Sequence, residues 1–285
     1  MRNEGESMVN LMRRGSEASS PTPHPSAAPA LAGVWTTIGK LRCHALVSVK
    51  AAPVDAPQIV LVHGFAVSSR YMVPTAERLA GRFPVFAPDL PGYGRSDESQ
   101  EVLDVPHLAG VLAGWMRRWG IERAVLVGNS FGCQIIAEFA IRYPEMISHA
   151  VMIGPTADAS APTIAQHIWR LARDLRHEPF ILWLIQGLDY LRFGPRWQWK
   201  TARAMLRDRI EEKLPQITIP VLILRGEHDP IAPQAWVEHL ARLTPNSRLA
   251  VVPGVGHAVN YTAPVRLVGL IEEFLADSGV ESSEA

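Results

Sequence analysis

The sequence predicts an α/β protein: a doubly wound, mostly parallel sheet of eight strands, with a helical insertion between the sixth and the seventh. Three observations carry this. Runs such as Ile59-Val60-Leu61-Val62 and Ala124-Val125-Leu126-Val127 are short and unbroken in their apolar character, as expected of strands buried on both faces. Helical segments separate these runs, which is the order of parallel β-α units. The rhythm stops after Gly154 and resumes at Ile219-Pro220-Val221-Leu222.

Taken in order, residues 1–33 are rich in Ser, Pro and Ala and are expected to be disordered. Residues 35–40 and 41–50 read as two strands joined at Gly39-Lys40. A strand at 58–62 runs into His63-Gly64-Phe65, and residues 74–81 read as a helix. The next strand, 84–87, ends in Pro88-Asp89-Leu90-Pro91-Gly92-Tyr93-Gly94, a loop dense in turn residues. Residues 104–119 form a helix with Asp104 as N-cap and Gly120 as its stop. A strand at 124–127, a helix at 133–143 stopped by Pro144, and a strand at 147–153 follow. Residues 155–215 hold no strand pattern; their aromatic residues are either core of the insertion or the wall of an apolar substrate pocket. A strand at 219–224, a helix at 234–243, a strand at 248–252 and a helix at 264–276 close the fold. The expected organisation is thus a core of 34–154 and 216–278, the insertion 155–215, and a frayed tail 279–285.

A chain of 285 residues can bury a large core. Its 28 basic and 28 acidic residues balance, which favours neither nucleic acid nor an anionic membrane as partner. Two cysteines, Cys43 and Cys133, are too few for a disulfide framework and are expected reduced in the core. No apolar run reaches the length of a membrane span, and none of signal-peptide length follows Arg13-Arg14. The expectation is a cytoplasmic enzyme acting on a small molecule, its oligomeric state open.

The chemistry is concentrated at Gly128-Asn129-Ser130-Phe131-Gly132, set between a buried strand and a helix. In so tight a turn, side chains beside the serine would collide with backbone, so glycine is needed on both sides. A serine hydroxyl needs a base, and the base needs an orienting carboxylate. His257 lies in the loop after the last strand, and Asp229 in the loop after the one before it. In a parallel sheet both loops leave the same edge as Ser130, where ligand sites form. The backbone N–H groups of Phe131, at the start of the helix, and of Phe65, after the third strand, are the expected oxyanion donors. Both phenylalanine side chains are expected as apolar walls, and His63, Trp169, Trp183 and Val259 as further pocket residues.

These pieces resemble the α/β-hydrolase fold family over roughly residues 35–277. The resemblance rests on His63-Gly64-Phe65, the 89–96 loop, Gly128–Gly132, Gly226-Glu227-His228-Asp229 and Gly254-Val255-Gly256-His257. It implies nucleophile, acid and base at Ser130, Asp229 and His257, a helical cap at 155–215, and no metal or organic cofactor. A minority of the family takes its acid after the sixth strand, where Asp158 is the candidate. Serine at the elbow argues against the dehalogenase and epoxide-hydrolase branches, which carry aspartate there. The elbow is also similar to that of carbon–carbon bond hydrolases of ring-fission diketones. Those typically have Gly-Pro-Gly after the His-Gly pair and Trp after the base; here stand Phe65-Ala66-Val67 and Ala258. The expected activity is therefore cleavage of a small to medium apolar carboxylic ester. The alternatives are carbon–carbon cleavage and a weakly catalytic ligand-binding or sensor protein.

Overall fold

A computed structural model describes residues 30–279; the side chains of Trp183, Arg192 and Phe193 are outside the described set, as are the rest of the expected disordered N-terminus and frayed tail. Eight strands form one sheet in the order β1-β2-β4-β3-β5-β6-β7-β8. They are β1 (Leu31–Ile38), β2 (Leu41–Ser48), β3 (Gln58–Val62), β4 (Val85–Pro88), β5 (Ala124–Asn129), β6 (Ile147–Ile153), β7 (Val221–Gly226) and β8 (Ser247–Val252). Only β2 runs against the other seven.

The first strand begins at Leu31, earlier than composition indicated. Leu31-Ala32-Gly33 looks too small and irregular to be strand, but all three residues pair with Leu46–Ser48 of β2. Strand β7 starts at Val221, two residues later than expected, because Pro220 has no N–H for the ladder.

Helices cover both faces. α1 (Val73–Leu79) packs with α9 (Val259–Thr262) and α10 (Pro264–Asp277) on one side. α2 (Val105–Arg118), α3 (Phe131–Arg142) and α8 (Gln234–Leu243) lie on the other. The period of two in the strands sorts the core. Val60, Val62 and Leu126 face the α2–α3 layer, while Ile59, Leu61, Val125 and Val127 face the α1–α10 layer. Asp104 caps α2, its carboxylate accepting from the His107 N–H at 3.0 Å.

Between β6 and β7 the chain forms α4 (Ile164–Asp174), α5 (Phe180–Phe193), α6 (Pro195–Arg207) and α7 (Ile210–Lys213). The C-terminal end of α6 is tied to α3, where Gln134 Nε2 donates to the Met205 and Asp208 carbonyls, each at 2.9 Å. Lys213 adds an ion pair to Glu138 of α3 at 2.7 Å. Trp197 of α6 seats on the loop after β4, where a side chain at Gly92 would come within 2.6 Å of its ring.

The strand order reverses between β3 and β5, since β3 is followed by β4 on one side and β5 on the other. A crevice opens at the carboxyl ends of such a pair. The loop carrying Gly64-Phe65 and the turn carrying Ser130 flank that crevice.

Candidate active site

Ser130 joins β5 to α3 with φ 57° and ψ −119°, a conformation that costs a non-glycine residue about 1–3 kcal/mol. The neighbouring glycines are needed sterically. A Cβ at Gly132 would lie 2.5 Å from the Val62 carbonyl oxygen, and one at Gly128 would lie 2.7 Å from Ile136. Ser130 N–H donates to the Ile153 carbonyl at 2.8 Å, fixing the turn to β6.

His257 and Asp229 meet at this edge. His257 Nδ1 lies 2.7 Å from Asp229 Oδ2, with both side chains buried. The other Asp229 oxygen accepts the N–H groups of Ile231 and Ala232 at 2.7 and 3.0 Å. Arg225 braces the loop by donating to the carbonyls of Asp229 and Ala232. With a carboxylate at Nδ1, the proton of the neutral ring sits there and leaves Nε2 as the basic nitrogen. Nε2 is buried with no hydrogen-bond partner, and the ring lines the same cavity as Ser130. Asp158 is occupied elsewhere, bound by Ser160 and, at 2.7 Å, by Arg170 of α4.

Several groups around the histidine leave little local trace in the sequence. Gly154, with φ +55°, ends β6 behind the pair; a Cβ there would come 2.8 Å from the His257 ring. Its only signal is a glycine directly after a strand at the carboxyl edge. Asp174, at the end of α4, accepts the His257 N–H at 3.0 Å, and Glu178 accepts the Ala258 N–H at 2.9 Å. The insertion therefore grips the backbone of the histidine loop. No spacing rule pairs residues more than 75 positions apart on an irregular turn. Burial drives the His257 imidazole down, but Asp229, Asp174 and Glu178 outweigh it and raise its pKa to about 9. Burial and the same negative neighbours push the Glu178 carboxyl up to about 7.

The cavity above Ser130 has a volume of about 290 Å³. Its floor includes Gly64, Phe65 and Asn129, and its walls come from Ile164, His167, Ile168 and Leu171 of α4, Tyr190 of α5, and Trp199 and Met205 of α6. Gly64 comes so close to the serine turn that a Cβ would lie 3.2 Å from that of Ser130. Phe65 lines the cavity and meets Tyr190 edge-on at 6.3 Å between ring centroids. The amide of Phe131 is the first of α3 and has no acceptor within its own helix.

Four side-chain expectations need correction, and a fifth falls outside the described residues. The Phe131 side chain is buried in the α2–α3 core layer and forms no wall. His63 is buried beneath the Gly64 loop, its Nε2 accepting from the Leu90 N–H at 3.1 Å and its Nδ1 donating to the Gly64 carbonyl at 2.9 Å. It supports that loop from below. Val259 is fully buried in the α1–α10 layer. Trp169 stands outside, stacked under the Arg173 guanidinium at 4.6 Å. Helical phase explains this, because the wall positions of α4 are 164, 167, 168 and 171, and residue 169 points about 100° away from 168. Trp183 is in α5, and its side chain lies outside the described residues. Both cysteines are buried free thiols; burial pushes the Cys43 thiol up to about 11, and Cys133 higher still.

The family model for the alpha/beta hydrolase family matches residues 59–270. The chain belongs to that family. Among its relatives is 2-(acetamidomethylene)succinate hydrolase of Mesorhizobium japonicum, 26% identical over 78% of this chain and 88% of that protein. Another is carboxylesterase YbfK of Bacillus subtilis, 25% identical over 76% of this chain and 79% of its own length. A solved structure of a thermophilic esterase from Thermogutta terrifontis superposes with a TM-score of 0.72 at 22% identity, covering 87% of this chain and 98% of that one. The fold of this hydrolase is thus that of its family. Among the described residues, no helix is long and apolar enough to cross a membrane.

Proposed function

We propose that this hydrolase cleaves a small to medium apolar carboxylic ester through an acyl-enzyme on Ser130. The observation that carries this reading is the Asp229–His257 contact of 2.7 Å with Nε2 left unpartnered in the cavity of the strained Ser130. A base oriented on one nitrogen and unoccupied on the other is what a serine nucleophile requires. Ser130 Oγ attacks the ester carbonyl and His257 Nε2 takes its proton. The N–H groups of Phe131 and Phe65 receive the developing oxyanion. His257 then protonates the alcohol as the carbon–oxygen bond breaks. Water, deprotonated by the same imidazole, attacks the acyl-enzyme; the acid is released and Ser130 regains its proton.

The apolar walls Ile164, Ile168, Leu171, Tyr190 and Trp199 support an apolar acyl or alkyl group. The cavity volume of about 290 Å³ supports a short to medium chain. The residues 155–215 would then act as the specificity-determining cap. The test is turnover of p-nitrophenyl esters of increasing acyl length beside a ring-fission dienone, with fluorophosphonate labelling of wild type and Ser130→Ala. The expected result is ester turnover and labelling that Ser130→Ala abolishes. Dienone turnover far above every ester would replace the ester by a carbon–carbon bond. Equal labelling of the variant would move the nucleophile elsewhere.

A further inference from the structure

The outer side of the insertion departs from the rest of the surface. Of the thirteen large apolar side chains that stand exposed among the described residues, eight belong to α4, α5 and α6, so the apolar surface is gathered here and not scattered. On α5, Phe180, Leu184, Leu188 and Leu191 recur at helical spacing along one solvent-facing stripe, with Phe180 70% and Leu191 80% exposed.

Charge is sorted as sharply. The whole chain is neutral, with 28 charges of each sign. Within residues 164–207, however, Arg173, Arg176, Arg196, Lys200, Arg203 and Arg207 are exposed, and no described carboxylate is. Asp174 and Asp189 are buried, on the His257 N–H and the Ser68 hydroxyl respectively, and Glu178 is turned in to the Ala258 N–H. The acids of this region are used inward, whereas of its described arginines and lysine only Arg170 is, on Asp158. Balanced composition therefore conceals a cationic, apolar face.

This face is continuous with the cavity. An outer groove between α4 and α6 is lined by Ile164, Ile168, Trp199 and Leu206, which also line the cavity of Ser130, and by the cations Arg203 and Arg207. A second groove beside Leu184, Leu188 and Leu191 shares Tyr190, Pro195 and Gln198 with the same cavity. Both grooves thus share walls with the cavity of Ser130, and the second has no described charged residue in its lining.

We propose that the outer face of α4–α6 docks on an anionic phospholipid bilayer, with the cavity mouth against the lipid. Exposed leucines and aromatic residues enter the headgroup boundary while the arginines and Lys200 meet phosphate charge. Anionic lipid, as opposed to a second copy of the chain, is the occupant that complementarity selects. Two such faces would bring like charges together.

The test uses the full chain and vesicles of phosphatidylcholine alone or mixed with phosphatidylglycerol, with co-sedimentation as readout. Binding to the mixed vesicles is expected, with little to phosphatidylcholine and loss at high salt. Each cation removed should lower the partition roughly fivefold, so Arg196→Gln with Lys200→Gln should lower it roughly 25-fold. Leu188→Ser with Leu191→Ser should also lose binding. These side chains are exposed, so both variants should keep wild-type circular dichroism and Tm. Ser130→Ala should bind as the wild type does, which separates docking from the hydrolytic reading. No sedimentation of the wild type with mixed vesicles, or sedimentation of either double variant equal to that of the wild type, would overturn the proposal. So would a wild-type dimer in solution that Leu188→Ser with Leu191→Ser converts to monomer.

Discussion

Ser130 and Asp229 stand on loops after β5 and β7, which are buried throughout, and His257 follows the half-buried β8, whereas the helices above them leave Phe180, Leu188 and Leu191 in solvent. The lower region is held by backbone geometry: the φ of Ser130, the close approach at Gly132, and the two N–H groups on Asp229. The upper region is held by side chains at a few points, at Gln134, Lys213, Asp174 and Glu178. On the proposed function, such a division separates the chemistry from its selectivity. The edge of the sheet can run one reaction while the helices set which molecule reaches it.

The largest effect is expected at the edge: His257→Ala or Asp229→Asn should lower kcat by about 10⁴-fold for every ester tried, Asp229→Asn through the wrong tautomer. Steady-state rates across an acyl series check this. A loss confined to long acyl groups would assign these residues to the pocket instead.

Next comes Gly154→Ala, whose Cβ would press within 2.8 Å of the His257 ring. Displacing the base should lower kcat about 10²-fold with KM little changed. A normal kcat would mean that the ring position does not limit the reaction.

A smaller and differently shaped effect is expected above. Tyr190→Ala or Trp199→Ala should change kcat/KM for the longest acyl groups roughly tenfold while leaving acetyl esters within a fewfold. A uniform loss across the series would erase the distinction between the regions.

The smallest effect tests the place where the two regions touch. The base must be neutral to accept a proton, so a His257 pKa of about 9 makes kcat/KM rise with pH through neutrality and level off only above it. Glu178 is among the negative charges that raise this value. Glu178→Gln should therefore move the acid limb of the pH profile to lower pH. An unshifted limb would show that Glu178 acts on the loop only through its hydrogen bond to Ala258.

By itself the sequence determined the sheet, its winding and the loops that carry Ser130, Asp229 and His257. Parallel strands buried on both faces must be written as apolar runs, and the tight turn demands glycine at 128 and 132. These are local requirements, so they survive as local patterns. Tertiary structure alone decided which side chains face the cavity. Ile168 and Trp169 are neighbours in sequence and apolar alike, yet only helix phase and docking turn the first inward and the second out. His63 carries the look of a base, but its partners Leu90 and Gly64 make it a support for the Gly64-Phe65 loop. Asp174 and Glu178 reach the histidine loop across some eighty residues. No pattern in a linear chain encodes that meeting, because it comes from how the insertion settles on the sheet.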